Sequence, residues 1–228
     1  MGVPFPVLLG VGAALGLVVV VQSADLRLPG DATGYEPDQP VAFSHQKHAG
    51  ELAVPCLFCH TGAETGRAAT LPPASTCMGC HQFVRASFAA VRAEDDLAKA
   101  ERRDPRPVTS DAIRSLYRLL GRDDEGKRRP GAPEGEIPWV RVHDLPDFVV
   151  FDHRSHVAAG VACATCHGAV ETMERVRQVE SLSMGWCVTC HRQESGRVLP
   201  QPVRGPDGKV VSPTRALHPT TDCSVCHH

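Results

Sequence analysis

Five copies of Cys-x-x-Cys-His constrain this chain more than any other feature, at Cys56/Cys59/His60, Cys77/Cys80/His81, Cys163/Cys166/His167, Cys187/Cys190/His191 and Cys223/Cys226/His227. They use all ten cysteines. The spacing has a chemical reason: two thiols on one helical turn add to the two vinyl groups of a haem, and the adjacent imidazole then points at the iron. A disulfide framework and a set of zinc half-sites are the competing readings of paired cysteines. Both leave the histidine after each second cysteine unexplained, so the expectation is five covalently bound haem c groups, each with a proximal histidine.

From Val3 to Val21 the chain has no charge and is almost wholly apolar, with Pro4 and Pro6 at its start and Gln22, Ser23 and Asp25 closing it. Nearly twenty such residues can span a bilayer. Val21-Gln22-Ser23 before Ala24 also resembles a signal-peptide cleavage site, but the run is long for an h-region and no basic n-region precedes it. An uncleaved anchor over 1–23 is therefore expected. Because haem is attached outside the cytoplasm in bacteria, the body should lie on the periplasmic side of the cytoplasmic membrane. Gly12 and Gly16 form a small-xxx-small face that would admit a neighbouring helix.

The remaining two hundred or so residues hold most of the 19 prolines and many of the 20 glycines, and aromatic residues are 5% of the chain. Such a sequence builds little regular core. Five porphyrins would supply the missing apolar bulk, which predicts a multihaem cytochrome c fold: loop-rich, with short α-helices around the covalent haems. A formal charge of −2 argues against a nucleic-acid partner, and ionised propionates would make the surface more acidic still.

An internal repeat organises the body. Phe43-Ser44-His45-Gln46-Lys47-His48 stands shortly before the first motif and Phe151-Asp152-His153-Arg154-Ser155-His156 shortly before the third. In each copy a second motif follows, and the later copy alone adds a fifth. The reading is a dihaem module over 24–91, a charged linker over 92–136 and a trihaem module over 137–228. Within the linker, Ile113, Leu116, Tyr117 and Leu120 share one helical face, with Ser110 as N-cap and Gly121 as stop. Residues 137–151 read as extended chain.

Seven histidines lie outside the motifs. His45, His48, His153 and His156, in the two F-x-H-x-x-H copies, are the expected distal ligands, with His143 as the fifth. His218 competes for that place, Met184 would give a His/Met pair of higher potential, and His228 at the chain end is expected to be free. Enough histidines exist to close every iron, which favours an electron carrier over a catalyst with an open coordination position.

The F-x-H-x-x-H plus Cys-x-x-Cys-His module resembles the class III multihaem cytochromes c. More specifically, the stretch from Phe43 to Gly50, Ile137-Pro138-Trp139-Val140-Arg141-Val142-His143-Asp144-Leu145-Pro146-Asp147-Phe148, Leu182-Ser183-Met184-Gly185-Trp186 and Asp222-Cys223-Ser224-Val225-Cys226-His227 resemble the pentahaem subunits of alternative complex III. The likeness covers most of the chain outside Arg92–Glu136. It implies a quinol-oxidising membrane complex with an iron–sulfur subunit, polytopic quinol-binding subunits and often a monohaem cytochrome. Electrons would leave toward a periplasmic cytochrome, a copper protein or an oxidase. The rival functions are a membrane-anchored quinol-dehydrogenase cytochrome feeding a periplasmic reductase, and a catalytic multihaem reductase.

Overall fold

After Ala24 apolar residues occur in short runs between prolines, glycines and charged residues, so most helices are brief. The structure, a computed structural model, describes residues 10, 15–16, 31–132, 135–200, 203–204, 210–211 and 214–227. The expected membrane anchor over 1–23 lies outside the described residues except at positions 10, 15 and 16, and His228 lies outside them as well. Among the described residues, no helix is long and apolar enough to cross a membrane.

Each Cys-x-x-Cys pair lies on a helical turn. In chain order, the π-helical turn α1 (Gln46–Glu51) precedes α2 (Cys56–Cys59), α3 (Gly62–Thr65) and α4 (Ala74–His81). Then come α5 (Phe88–Glu101) and α6 (Asp111–Leu119). The second half has α7 (His153–Ala158), α8 (Ala164–His167), a 3-10 turn (Val170–Thr172), α9 (Met184–Gln193) and α10 (Cys223–Cys226). Between α9 and α10 two short antiparallel pairs form: β1 (Val198–Pro200) with β4 (Thr214–Ala216), and β2 (Val203–Arg204) with β3 (Val210–Val211).

The patterned linker helix forms where its face predicts. Ser110 Oγ accepts from the Ile113 N–H, satisfying a first-turn amide. Leu116, Tyr117 and Leu120 are buried with Val41 and Met78 in the main apolar cluster, against which Ile113, Ala74, Cys77, Ile137 and Trp139 pack. Thus α6 lies against α4 and supports the second motif. Tyr117 completes the link by donating its hydroxyl proton to the His81 carbonyl. Gly126, at φ +82°, is required beside it, since a Cβ there would stand 2.9 Å from Tyr117 Cζ.

Helix α5 was not expected, because the charged stretch beginning at Arg92 reads as linker. It starts earlier, with Ser87 Oγ accepting from the Ala90 N–H, and ends at Arg102 in the left-handed conformation. Glu94 anchors its far end. Arg103 donates to both of its oxygens, at 2.5 and 3.4 Å, and the Arg106 N–H donates at 2.7 Å. Those bonds hold the Glu94 carboxyl down to about 2.

The two halves hold each other. The Gly34 N–H donates to the Gln178 carbonyl and the Gln178 N–H to that of Tyr35. Arg175 pairs with Glu36 at 3.2 Å and also with Asp38. Residues 137–151 form no helix or named strand, bend at 142–143 and turn at 147–148, and are clamped where the Gln39 side-chain amide both donates to and accepts from the Val140 backbone at 2.9 Å. Helix α1 packs on the 3-10 turn, and α3 packs on α7.

Candidate haem-binding sites

Metal ligation by histidine requires a neutral ring with one nitrogen free, and the hydrogen bond made by the other nitrogen decides which. His60, His81 and His191 donate Nδ1–H to the carbonyls of Thr70, Val84 and Thr220, at 2.9, 2.7 and 2.5 Å. His48, His153 and His156 do the same toward Ser44, Arg67 and Asp152, at 2.8, 2.8 and 2.9 Å. A carbonyl can only accept, so in all six rings the proton sits on Nδ1 and the Nε2 lone pair is exposed for a metal.

These rings are also paired. Two imidazoles on opposite sides of one iron stand about 6 Å apart between centroids, from metal–nitrogen bonds of about 2 Å and roughly 1 Å from nitrogen to ring centre. His45 faces His60 at 6.5 Å, nearly parallel at 5°, and His153 faces His167 at 6.4 Å and 6°. His48 faces His81 at 6.0 Å and 70°, and His156 faces His191 at 6.0 Å and 36°. Each F-x-H-x-x-H copy thus sends its first histidine to the first motif of its half and its second histidine to the next. The phenylalanine wedges between them: Phe43 stacks on His48 at 4.4 Å and Phe151 on His156 at 4.5 Å.

Burial keeps the best-covered rings neutral. The His45 pKa falls to about 4, through burial first and then the neighbouring His60 and His48. His167 falls to about 4 through burial and then His143, His153 and His60. Neutral imidazole is the form that binds iron at neutral pH.

His143 lies elsewhere. Its ring meets His167 edge-on at 4.4 Å and 85°, with its Nε2 3.3 Å from His167 Nδ1. It therefore sits behind the motif histidine rather than across an iron-sized gap from one. The sequence offered it as the fifth distal ligand; the chain bends at 142–143, and the ring lies edge-on to His167. His227 has the Phe148 ring at 5.8 Å, tilted by 30°. His218 lies on the surface without an imidazole facing it among the described residues, and Met184 is 69% exposed.

The ten motif cysteines look alike in sequence, but the fold does not treat them alike. Cys80 is exposed, as are Cys56, Cys163 and Cys223, whereas Cys59, Cys77, Cys166, Cys187, Cys190 and Cys226 are half-buried. The helical repeat gives the reason at Cys80. Helix α4 buries Met78 in the apolar cluster, and a residue two positions on is turned roughly 200° around the helix, toward solvent. Cys77, one position before Met78, instead packs against that cluster. Four of the five motifs so set one thiol further inside than the other, the fourth having both half-buried, and the outer thiol of the second motif is the one at Cys80.

The residues fit covalent haem by three further observations. All ten cysteines are free thiols, although the two in each motif share one helical turn. The buried apolar set among the described residues is small: Val41, Ala63, Met78, Ala98, Leu116, Tyr117, Leu120 and Met173. Large apolar side chains beside the motifs stand open to solvent instead, among them Phe58, Leu71, Phe83 and Phe148. These are the surfaces a porphyrin would cover, and they supply the bulk that the protein core lacks.

Short helices, loops and motif histidines faced by opposed imidazoles are the features of a multihaem cytochrome c fold. Comparison with known proteins agrees. Residues 149–228 match the family described as cytochrome c7 and related cytochrome c. The chain is also similar to the protein named menaquinone reductase, multiheme cytochrome c subunit, of Nitratidesulfovibrio vulgaris (strain Hildenborough), at 27% identity over 134 residues. That match covers 58% of this chain and 47% of the relative, so the chain spans about half the length of the relative it matches.

Proposed function

We propose that this chain binds five haem c groups and is the electron-transfer subunit of a quinol-oxidising complex of the alternative complex III type. It is anchored in the bacterial cytoplasmic membrane by its N-terminal apolar run, with its haem body on the periplasmic side. The observation that carries the carrier role is the set of four opposed imidazole pairs. In each, His45, His48, His153 or His156 would hold the iron opposite a motif histidine, leaving no position for a substrate. When bound, haem iron supplies one-electron exchange. The protein's own part is to present neutral Nε2 atoms, to fix each ring through Nδ1, and to exclude water with Phe43 and Phe151. With His143 placed behind His167, the candidates for the fifth site's distal ligand are His218 and Met184.

The relative's name supports a quinone-linked membrane complex as the setting. It also favours a second reading, in which electrons pass toward menaquinone. The two differ in direction and company. Tagged protein should co-purify from membranes with an iron–sulfur subunit and polytopic partners, and menaquinol should reduce its haems in that complex. Recovery with a soluble reductase alone would sink the first reading. Haems that deliver electrons to menaquinone but are not reduced by menaquinol would establish the second. A high-spin haem together with turnover by the isolated subunit would show a catalyst instead of a carrier.

A further inference from the structure

The contacts between the halves are reciprocal. Gln46, one residue after His45, donates its backbone N–H to the carbonyl of Met173, six residues after His167, at 2.9 Å. Arg154, one residue after His153, donates to the carbonyl of Gly66, six residues after His60, at 3.2 Å. His45 and His153 are equivalent in the repeat, as are His60 and His167. The same bond is therefore made twice with the roles of the halves exchanged. The element packing follows suit, with α1 on the 3-10 turn that trails the third motif and α7 on the α3 that trails the first. Contacts in which residue i meets j and j meets i define a two-fold interface.

Equivalent residues meet on such an axis. Cys56 and Cys163, the leading cysteines of the first and third motifs, lie within electrostatic reach of each other, as do the motif histidines His60 and His167. Neighbours then extend outward on both sides. Helix α1 and its N-cap bring His45 and His48 together, tying the first site to the second; α7 does the same with His153 and His156 for the third and fourth. Beyond the fourth site, His191 Nδ1 donates to the Thr220 carbonyl, three residues before Cys223.

We propose that the haem-binding sites of this chain are ordered in space as second, first, third, fourth, fifth, with the first and third apposed across a pseudo-two-fold axis. The order rests on the five-haem reading above. It departs from chain order only in the first half, because the two-fold contact turns the leading site of each half inward. The second site, braced by α6 through Tyr117 and Met78, is one end of the series. The fifth, beside Phe148, is the other. Exchange of electrons with other proteins belongs at these ends, because every inner site is flanked by sites on both sides.

A redox titration of the detergent-solubilised holoprotein, followed by NMR that resolves individual haems, tests the order through pairwise redox interactions. The first and third haems should interact strongly, and the second should interact strongly with the first alone. In His48→Met, which alters only the second site, the first haem's potential should shift and the third's should not; in His45→Met both the second and the third should shift. Five haems with a second haem coupled to the third as strongly as the first is would overturn the order and leave the five-haem reading intact. Fewer than five haems by pyridine haemochrome assay would overturn both.

Discussion

His143 and the four histidines that face motif rings differ by what their second nitrogen touches. In those four Nδ1 is bonded to carbonyl oxygen or, for His45, buried without a hydrogen-bond partner among the described residues. In His143 it is Nε2 that is engaged, 3.3 Å from His167 Nδ1, and it would accept from that nitrogen were His167 to hold iron through Nε2. An acceptor there makes His167 a more basic ligand and stabilises the oxidised iron. His143→Ala should therefore retain every haem in the low-spin state while raising the potential of the third by on the order of 60 mV, the equivalent of about a tenfold change in relative affinity. A distal ligand would behave differently: its loss would turn one haem high-spin, which EPR would show. The other four histidines could be read from sequence because their spacing places both rings on one turn beside a motif. His143 could not, since its partner is 24 residues away and joined to it by no repeat. The cysteines divide in the same way. Their pairing is plain in the motif, but that Cys80 faces outward while Cys77 packs inward depends on where α6 lies against α4.

At the scale of elements, α6 was predictable because Ser110, the apolar face and Gly121 all agree. Ser110→Ala should lower the stability of the holoprotein by about 1 kcal/mol, and Leu116→Ala by about 2–5 kcal/mol, both measurable by denaturant titration. Helix α5 was obscured by its charge, although Ser87 and the alanine-rich turn after it are a usable start signal. Its far end depends on pH. Glu94 is depressed in the folded chain relative to its ordinary value of 4.5, so its contribution is full above that value and disappears as pH falls toward about 2. Amide exchange at 98–106 should accelerate across that window, and Glu94→Gln should remove the dependence. The packing of α1 on the 3-10 turn has a tighter requirement. A Cβ on Gly50 would stand 2.3 Å from the Glu171 carbonyl oxygen, a backbone atom that cannot swing aside. Gly50→Ala should cost about 1–3 kcal/mol by forcing the halves apart, with the loss visible in the melting temperature.

For the whole molecule, haem attachment and a loop-rich multihaem fold could be argued from the motifs and their repeat. The way the halves meet could not. Its reciprocal part is made of backbone bonds such as Gln46 to Met173 and Arg154 to Gly66, which no side-chain pattern announces. The β pairs between α9 and α10 escaped for a similar reason, being only two or three residues long. The scarcity of buried apolar side chains carries a prediction of its own: chain produced without haem attachment should lack protease resistance and cooperative melting, whereas the loaded protein should have both. The reciprocal contact has a further implication. Because equivalent residues face one another across it, two separate copies of a small two-motif chain could make the same interface as a symmetric pair. The present molecule has the form of such a pair spliced end to end, so the stretch from Arg92 to Glu136 works as a tether, and its length and charge are free to drift provided α6 still seats against α4.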